Sequence, residues 1–508
     1  MESERKWSTQ QGAIFAWLAA CRVVATALRH LVVRARAGTG KTTTILEGVK
    51  RVPKTLRVIV CAFNTRIRKE LVTRLDKLQA QGECRNVEAR TLHSIGLLFL
   101  AGAWGRLDSD HSAEVDRDRA RDAAGHNAPD EVVTLVVKLA SLVKNVLPFA
   151  GPEQLADVVA LARQFDLEPS DEDAEAGWTV ERLARCAGKA ADAATERDPK
   201  GRISFDDMVF VPLVNGYARP RWDVVIVDEA QDMNAAQLAL AQRVVTPGGS
   251  IVVVGDDKQA IYGFRGADAG SLDRLKAELS AEELGLTVTY RCGKKIVEVA
   301  RALVPDFTAY EGNAEGIVDS IATPAIFEQA QVGDFVLSRK NAPLLALALG
   351  FIKRGVRARI EGRDIGRMLR SIVAGLKART VPEYLTKAQK WGEKASKRCA
   401  RIESPEVREA KLAEVADQVE VLVALAEGAA NVSDILLRCD TLFGDDTGEP
   451  RKHVVLSSVH KAKGLEADRV FILADTVSTR SVEESNIYYV AVTRAIKHLT
   501  WVVGEVKK

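Results

Sequence analysis

The run Ala35-Arg36-Ala37-Gly38-Thr39-Gly40-Lys41-Thr42 has the make-up of a phosphate cradle. It fits the pattern GxxxxGK[ST] except that Ala35 stands at the first glycine position. Gly38 and Gly40, with Ala37, Thr39 and Thr43 around them, let backbone N–H groups curl around phosphate oxygens where a helix begins. Lys41 can reach the β- and γ-phosphates of a nucleotide, and the Thr42 hydroxyl can ligate Mg²⁺. A second candidate is Asp228-Glu229-Ala230-Gln231-Asp232, which closes the apolar run Trp222 to Val227. One carboxylate at a strand end can hold the phosphate-bound Mg²⁺, and its neighbour can orient or deprotonate the attacking water. Asp228 is assigned to the metal and Glu229 to the water. An isolated acidic pair would read more simply as a helix start favoured by the dipole, but beside a phosphate loop the hydrolytic reading takes precedence.

These residues need rigid elements behind them. Short β-branched runs recur at 31–35, 57–63, 223–229, 250–256 and 453–460, each closing on a polar motif. Separated by helix-like stretches, they imply buried parallel strands in α/β units, with ligands bound at their carboxyl ends. Two regions break the pattern. Residues 101–200 are rich in Ala, Asp and Arg, and a helix is expected just after Pro129. Residues 365–450 read as a helical hairpin, with Ser404-Pro405-Glu406 opening its second arm.

The expected organisation is therefore α/β, with residues 1–100 and 201–275 in one domain and 276–364 and 451–508 in another. Residues 101–200 and 365–450 are read as helical insertions, the latter reduced. The 508 residues exceed what one core can organise. A net charge of +3 places any nucleic-acid contact in a local groove rather than on a basic coat. Seven scattered cysteines without a CxxC pair give neither a zinc site nor a disulfide framework. No leader-like or membrane-length apolar run is present, so a cytoplasmic protein without membrane contact is expected.

Further motifs follow in order along the chain. They are Ser8-Thr9-Gln10-Gln11, Cys61-Ala62-Phe63-Asn64, Arg90-Thr91-Leu92-His93-Ser94 and the string Gly255 to Ala267 (GDDKQAIYGFRGA). Thr289-Tyr290-Arg291-Cys292, Ser458 to Glu466 (SVHKAKGLE) and Val490 to Ala495 (VAVTRA) complete the series. With the two sites above, this series resembles superfamily 1A helicases, the UvrD/Rep/PcrA group, with wording nearest the F-box DNA helicase branch. The resemblance runs from Trp7 to about Trp501, the two helical regions apart.

The resemblance implies two RecA-like P-loop domains using ATP and Mg²⁺. It gives Gln11 the adenine edge, Tyr290 a stack on adenine, Glu466 the ribose hydroxyl and Gln259 the γ-phosphate. Arg291 and Arg494 become arginine fingers, whose planar charge suits a transferring phosphoryl group. Phe63, Arg66, Thr91, His93, Tyr262, Phe264, Arg265 and His460 fall along a path for single-stranded DNA, where aromatic rings stack on bases. Phe63 could also be a core aromatic.

The implied activity is translocation 3′ to 5′ on single-stranded DNA, with unwinding at duplex junctions. The alternative is an ATP-gated clamp or effector that senses DNA ends or displaces proteins, a reading that the short 365–450 region keeps open. An RNA motor is disfavoured by the family resemblance alone. With few residues after 495, no fused nuclease is expected. Lys387, Lys390, Lys394, Lys397 and Arg401 line one helix face. Either they grip duplex phosphates, or they pair with Glu406, Glu409, Asp417 and Glu420 on the next helix; the paired hairpin is the favoured reading. The sequence leaves open the pathway (repair, recombination control, replication or defence) and any protein loading partner.

Overall fold

The structure, a computed structural model, describes residues 6–21, 29–62, 65–148, 155–261, 271–399, 405–444 and 452–504. It divides into two compact units, Met1–Leu286 and Thr287–Lys508.

The first unit is built on six strands: β1 (Leu31–Ala35), β2 (Val58–Ala62), β3 (Val87–Thr91), β4 (Trp222–Val227), β5 (Val245–Gly255) and β6 (Glu282–Leu286). They lie in the order β3-β2-β4-β5-β1-β6, and every pairing is parallel. Successive residues enter opposite cores, as the pleat requires. Val33, Val60, Ile226 and Val254 join one apolar cluster, and Val32, Ile59, Val225 and Val253 join the other. Covered on both faces, these strands read as unbroken apolar runs. Because they are parallel, the carboxyl ends of these strands, at Ala35, Ala62, Thr91, Val227 and Gly255, lie along one edge of the sheet. The first unit reaches Leu286 rather than ending at residue 275, because β6 pairs with β1.

Between β3 and β4 a helical region has its own core, in which Val132, Val136, Leu139, Leu161, Leu183 and Ala187 meet. The helix Asp130–Val146 begins directly after Pro129, as expected. This region is bolted to the helix Asp207–Val214 by buried charges. Lys144 Nζ lies 2.7 Å from Asp207 and 2.9 Å from Asp116, while Arg119 lies 2.5 Å from Asp207.

The second unit contains β7 (Val288–Thr289) and β8 (Thr308–Ala309), which pair with each other, and a seven-stranded parallel sheet. The sheet comprises β9 (Ile317–Ala322), β10 (Phe335–Ser338), β11 (Ala358–Glu361), β12 (Phe443–Gly444), β13 (Val454–Ser458), β14 (Ala467–Leu473) and β15 (Ala495–Val503), in the order β12-β11-β13-β10-β14-β15-β9. Among the described residues four helices connect β11 to β12: Arg363–Gly375, Val381–Cys399, Pro405–Ala426 and Val432–Thr441.

They do not form a body with a separate large core. Leu369, Tyr384, Leu422, Leu425 and Ile435 share one cluster with Leu345, Phe351 and Leu456 of the sheet layer. The favoured salt-bridged hairpin is corrected here. Lys390, Lys394 and Lys397 are exposed, Lys387 pairs with Glu383 on its own helix, and among the described residues none of the four pairs with an acid of Pro405–Ala426. Asp417 instead accepts hydrogen bonds from the backbone N–H groups of Asn341 and Ala342 at 2.9 Å each, capping the helix Ala342–Lys353. The arms meet through apolar groups and the Tyr384 hydroxyl, which donates to the Leu422 carbonyl at 3.0 Å. Arg401, Ser404 and the Glu406 side chain lie outside the described residues.

Candidate active site

At the end of β1 the chain turns through Gly38 and Gly40, whose φ angles of +68° and +80° lie in the left-handed region. Gly40 is the N-cap of the helix Lys41–Val49, so the first N–H groups of that helix point out of the turn as an anion cradle. Ala37 and Thr39 are buried in the loop, and the Thr39 hydroxyl donates to the Arg36 carbonyl at 2.9 Å. Thr43 is half-buried one residue into the helix from Thr42.

The carboxylates of the neighbouring strand end meet this loop. The Thr42 hydroxyl donates to Asp228 Oδ2 at 3.3 Å, and Lys41 Nζ lies 3.4 Å from Glu229 Oε1. Glu229 holds φ at +53°, and its N–H donates to Asp228 Oδ1 at 2.9 Å. Burial, with the charge of Glu229 beside it, pushes the Asp228 carboxyl up to about 7. Burial alone would lower the Lys41 pKa, but Glu229, Asp256 and Asp228 outweigh it and hold the ammonium above its ordinary value. A hydroxyl and a carboxylate side by side suit Mg²⁺, which takes few protein oxygens and fills its other positions with water and phosphate. Among the described residues no cluster of three or more His, Cys, Asp or Glu side chains offers an all-protein metal cage.

A hydrogen-bond chain continues from Glu229. Gln231 Nε2 donates to Glu229 Oε2 at 2.6 Å, and Gln231 Oε1 accepts from the Asp256 N–H at 3.0 Å. Gln259 Nε2 donates to Asp256 Oδ2 at 2.7 Å. Gln231 was given no role by the sequence reading. Its signal was its place two residues after Glu229 in the same strand-end motif.

Gln11 lies against the phosphate loop, its Nε2 3.8 Å from where a Cβ on Gly40 would sit. Its amide is engaged within the protein: Oε1 accepts from the Ser8 N–H at 3.0 Å, and Nε2 donates to the Thr44 hydroxyl at 3.1 Å. Ser8 and Gln11 thus form a capping box for the helix Thr9–Ala19.

Of the residues expected on a DNA path, Thr91 caps the helix Leu92–Trp104. His93 stacks on Phe205 with ring centroids 4.0 Å apart, and Phe205 is 57% exposed. Burial lowers the His93 pKa to about 4, only partly opposed by Asp206. Phe205 was not singled out from the sequence, because its partnership with His93 bridges the whole helical region. Phe63, Tyr262, Phe264, Arg265 and the Arg66 side chain lie outside the described residues.

The second unit gathers its own set. Arg291 Nε lies 2.5 Å from Glu466, and Arg291 Nη1 donates to the Thr493 carbonyl at 3.3 Å. Arg494 is 1% exposed and donates to the carbonyls of Val490 at 2.9 Å and Leu465 at 3.1 Å. Burial, with Arg291 nearby, lowers its pKa to about 10. Glu466 is therefore paired with an arginine, and the Arg494 guanidinium is bonded to backbone within its own unit. Tyr290 packs on Tyr310 with centroids 5.1 Å apart, and His460 is half-buried in the turn after β13.

The family model of the UvrD/REP helicase N-terminal domain matches residues 19–280, and that of the UvrD-like helicase C-terminal domain matches residues 453–502. The chain belongs to the UvrD/REP helicase family. Within that family it is 24% identical over 294 residues to the ATP-dependent DNA helicase Rep of Salmonella typhimurium, a match covering 54% of this chain and 40% of that protein. It is 22% identical over 288 residues to the ATP-dependent DNA helicase PcrA of Leuconostoc citreum, covering 54% of this chain and 37% of that one. A stretch of 101 residues, 20% of this chain and 9% of the other, is 37% identical to the RecBCD enzyme subunit RecB of Mycobacterium tuberculosis. Among solved structures, the Arterivirus nonstructural protein 10 helicase aligns over 97% of this chain and 62% of that chain, at 10% identity and a TM-score of 0.34. The matched region spans less than half the length of Rep or PcrA. Parallel α/β sheets with a phosphate loop agree with the two RecA-like domains expected of the family. No helix among the described residues is long and apolar enough to cross a membrane.

Proposed function

We propose that the chain is an ATP-driven motor that moves 3′ to 5′ on single-stranded DNA and separates strands at a duplex junction. The observation that carries this reading is the convergence of Lys41, Thr42, Asp228, Glu229 and Gln259 beyond the carboxyl ends of β1, β4 and β5. In this reading the turn at Gly38 and Gly40 binds the phosphates through backbone N–H groups. Lys41, which faces Glu229 at 3.4 Å, transfers its charge to the β/γ-phosphates and so frees Glu229 Oε1 to take a proton from the attacking water. Gln231 holds the other Glu229 oxygen and keeps the carboxylate in register. Mg²⁺, held by Thr42 and Asp228, would neutralise phosphate charge.

Arg291 and Arg494 supply positive charge to the transferring phosphoryl group, with Tyr290 on the adenine and Glu466, once released from Arg291, on the ribose. Thr91, His93 and Phe205 of the first unit and His460 of the second supply DNA contacts, together with the Phe63, Arg66, Tyr262, Phe264 and Arg265 positions.

The rival, an ATP-gated clamp or effector without processive unwinding, gains support from the merger of the 363–441 helices with the second sheet's core. Forked duplexes with a single 3′ or 5′ tail separate the two. ATP-dependent strand separation from the 3′ tail alone is expected. DNA-stimulated hydrolysis without separation from either tail would favour the clamp, and separation from the 5′ tail would reverse the polarity.

A further inference from the structure

Arg36 occupies a variable position of the phosphate loop, yet its side chain turns away from the cradle and reaches a different loop. Its Nη1 lies 2.8 Å from Asp257 Oδ1 and 3.2 Å from Asp256 Oδ1, with the Arg36 side chain 7% and the Asp256 side chain 0% exposed. The Arg36 backbone is also tied at both ends: its N–H donates to the Leu286 carbonyl at 2.8 Å, and its carbonyl accepts the Thr39 hydroxyl at 2.9 Å. Arg34, two residues earlier, binds Asp257 at 3.0 Å and Glu283 at 3.0 Å, so the second acid has another partner.

The consequence lies in what Asp256 does with its other oxygen. Asp256 Oδ2 accepts from Gln259 Nε2 at 2.7 Å, and Oδ1 accepts from the Lys258 N–H at 3.2 Å. Asp256 therefore orients the Gln259 amide as long as its carboxyl is held in place. A carboxylate this deeply buried is costly without a counter-charge, and Arg36 supplies one from the loop that receives the phosphates. Burial raises the Asp256 carboxyl above its ordinary value, and Lys41 and Arg36 are the two cations that oppose it, Arg36 through a contact of 3.2 Å.

We infer that Arg36 is a positioning residue for hydrolysis. It fixes Gln259 through Asp256. The inference rests on the motor reading above and goes beyond it by assigning a role to a residue whose position in the phosphate loop demands no particular side chain.

The test uses the full chain and four variants: Arg36→Ala, Arg36→Lys, Asp256→Asn and the Arg36→Ala/Asp256→Asn double. Steady-state ATP hydrolysis with single-stranded DNA gives kcat and KM, and titration with a fluorescent ADP analogue counts binding-competent sites, so that misfolded protein is excluded. Arg36→Ala should lower kcat per competent site about tenfold or more while KM for ATP stays within about threefold. Arg36→Lys, which retains the charge, should recover kcat to within about threefold of wild type. The double variant should lose no more than the worse single, as expected of two residues acting in series.

Wild-type kcat per site in Arg36→Ala, or losses that multiply in the double, would overturn the inference. Lys41→Ala is the control that separates the two levels of claim. Activity lost in Lys41→Ala but kept in Arg36→Ala sinks only the role of Arg36, whereas a wild-type protein that hydrolyses no ATP sinks the motor reading with it.

Discussion

Glu229 sits at φ +53°, a left-handed conformation that costs a non-glycine residue on the order of 1–3 kcal/mol and persists only where its surroundings impose it. Asp228, Gln231 and Lys41 impose it here, each through a contact to the backbone or carboxylate of Glu229. His93 carries a constraint of another kind. Burial holds its pKa near 4 against an ordinary value of 6.5, so between those values the folded chain binds fewer protons than the unfolded chain. Its contribution to stability is complete above pH 6.5 and is lost as pH falls toward 4. In His93→Gln the difference in unfolding free energy between pH 7 and pH 5 should shrink by about 1–2 kcal/mol. Denaturant titrations at the two pH values check this, and an unchanged difference would remove His93 from the account.

At this scale, Lys41, Thr42, Asp228 and Glu229 were legible because each lies within a few residues of a strand end that the apolar runs already mark. Phe205, the Arg36–Asp256 pair and the Arg291–Glu466 pair were not, since each joins positions far apart in the chain.

Elements were legible in proportion to their burial. β1, β2, β4, β5 and β13 are apolar on both faces and stand out as β-branched runs. β6, with the sequence Glu-Glu-Leu-Gly-Leu, is an edge strand whose first two residues pair with Arg29 and Arg34. Its polar pattern does not mark it as a strand, so the boundary expected at residue 275 falls before it, whereas the first unit ends at Leu286. The lysine stripe teaches the complementary point. Spacing along a helix tells which residues share a face, but not what that face meets.

The acid that matters structurally in the hairpin is Asp417, which caps another helix through Asn341 and Ala342. Asp417→Ala should therefore cost about 1–2 kcal/mol, whereas Lys390→Glu should change stability by no more than about 0.5 kcal/mol. Thermal unfolding of the two variants checks this, and equal losses would restore a salt-bridged hairpin.

For the whole molecule, the parallel α/β character of both units followed from the recurring apolar runs, while the fate of the two helical regions did not. The first has its own core and a buried ionic bolt to the sheet-bearing part of its unit. The second has become part of its sheet's core. Removing Lys144 from the bolt would leave Asp207 and Asp116 short of a cation in a buried setting. Lys144→Met should cost about 3–5 kcal/mol in denaturant unfolding, and a neutral result would show that the bolt contributes nothing.

Both units serve one claim: that a nucleotide seated at Lys41 is hydrolysed in response to DNA. ATP hydrolysis by the wild-type chain and by Lys41→Ala, each with and without single-stranded DNA, tests that claim most directly. Hydrolysis should rise with DNA in the wild type and be absent from Lys41→Ala. Hydrolysis indifferent to DNA, or retained in full without the Lys41 ammonium, would contradict it.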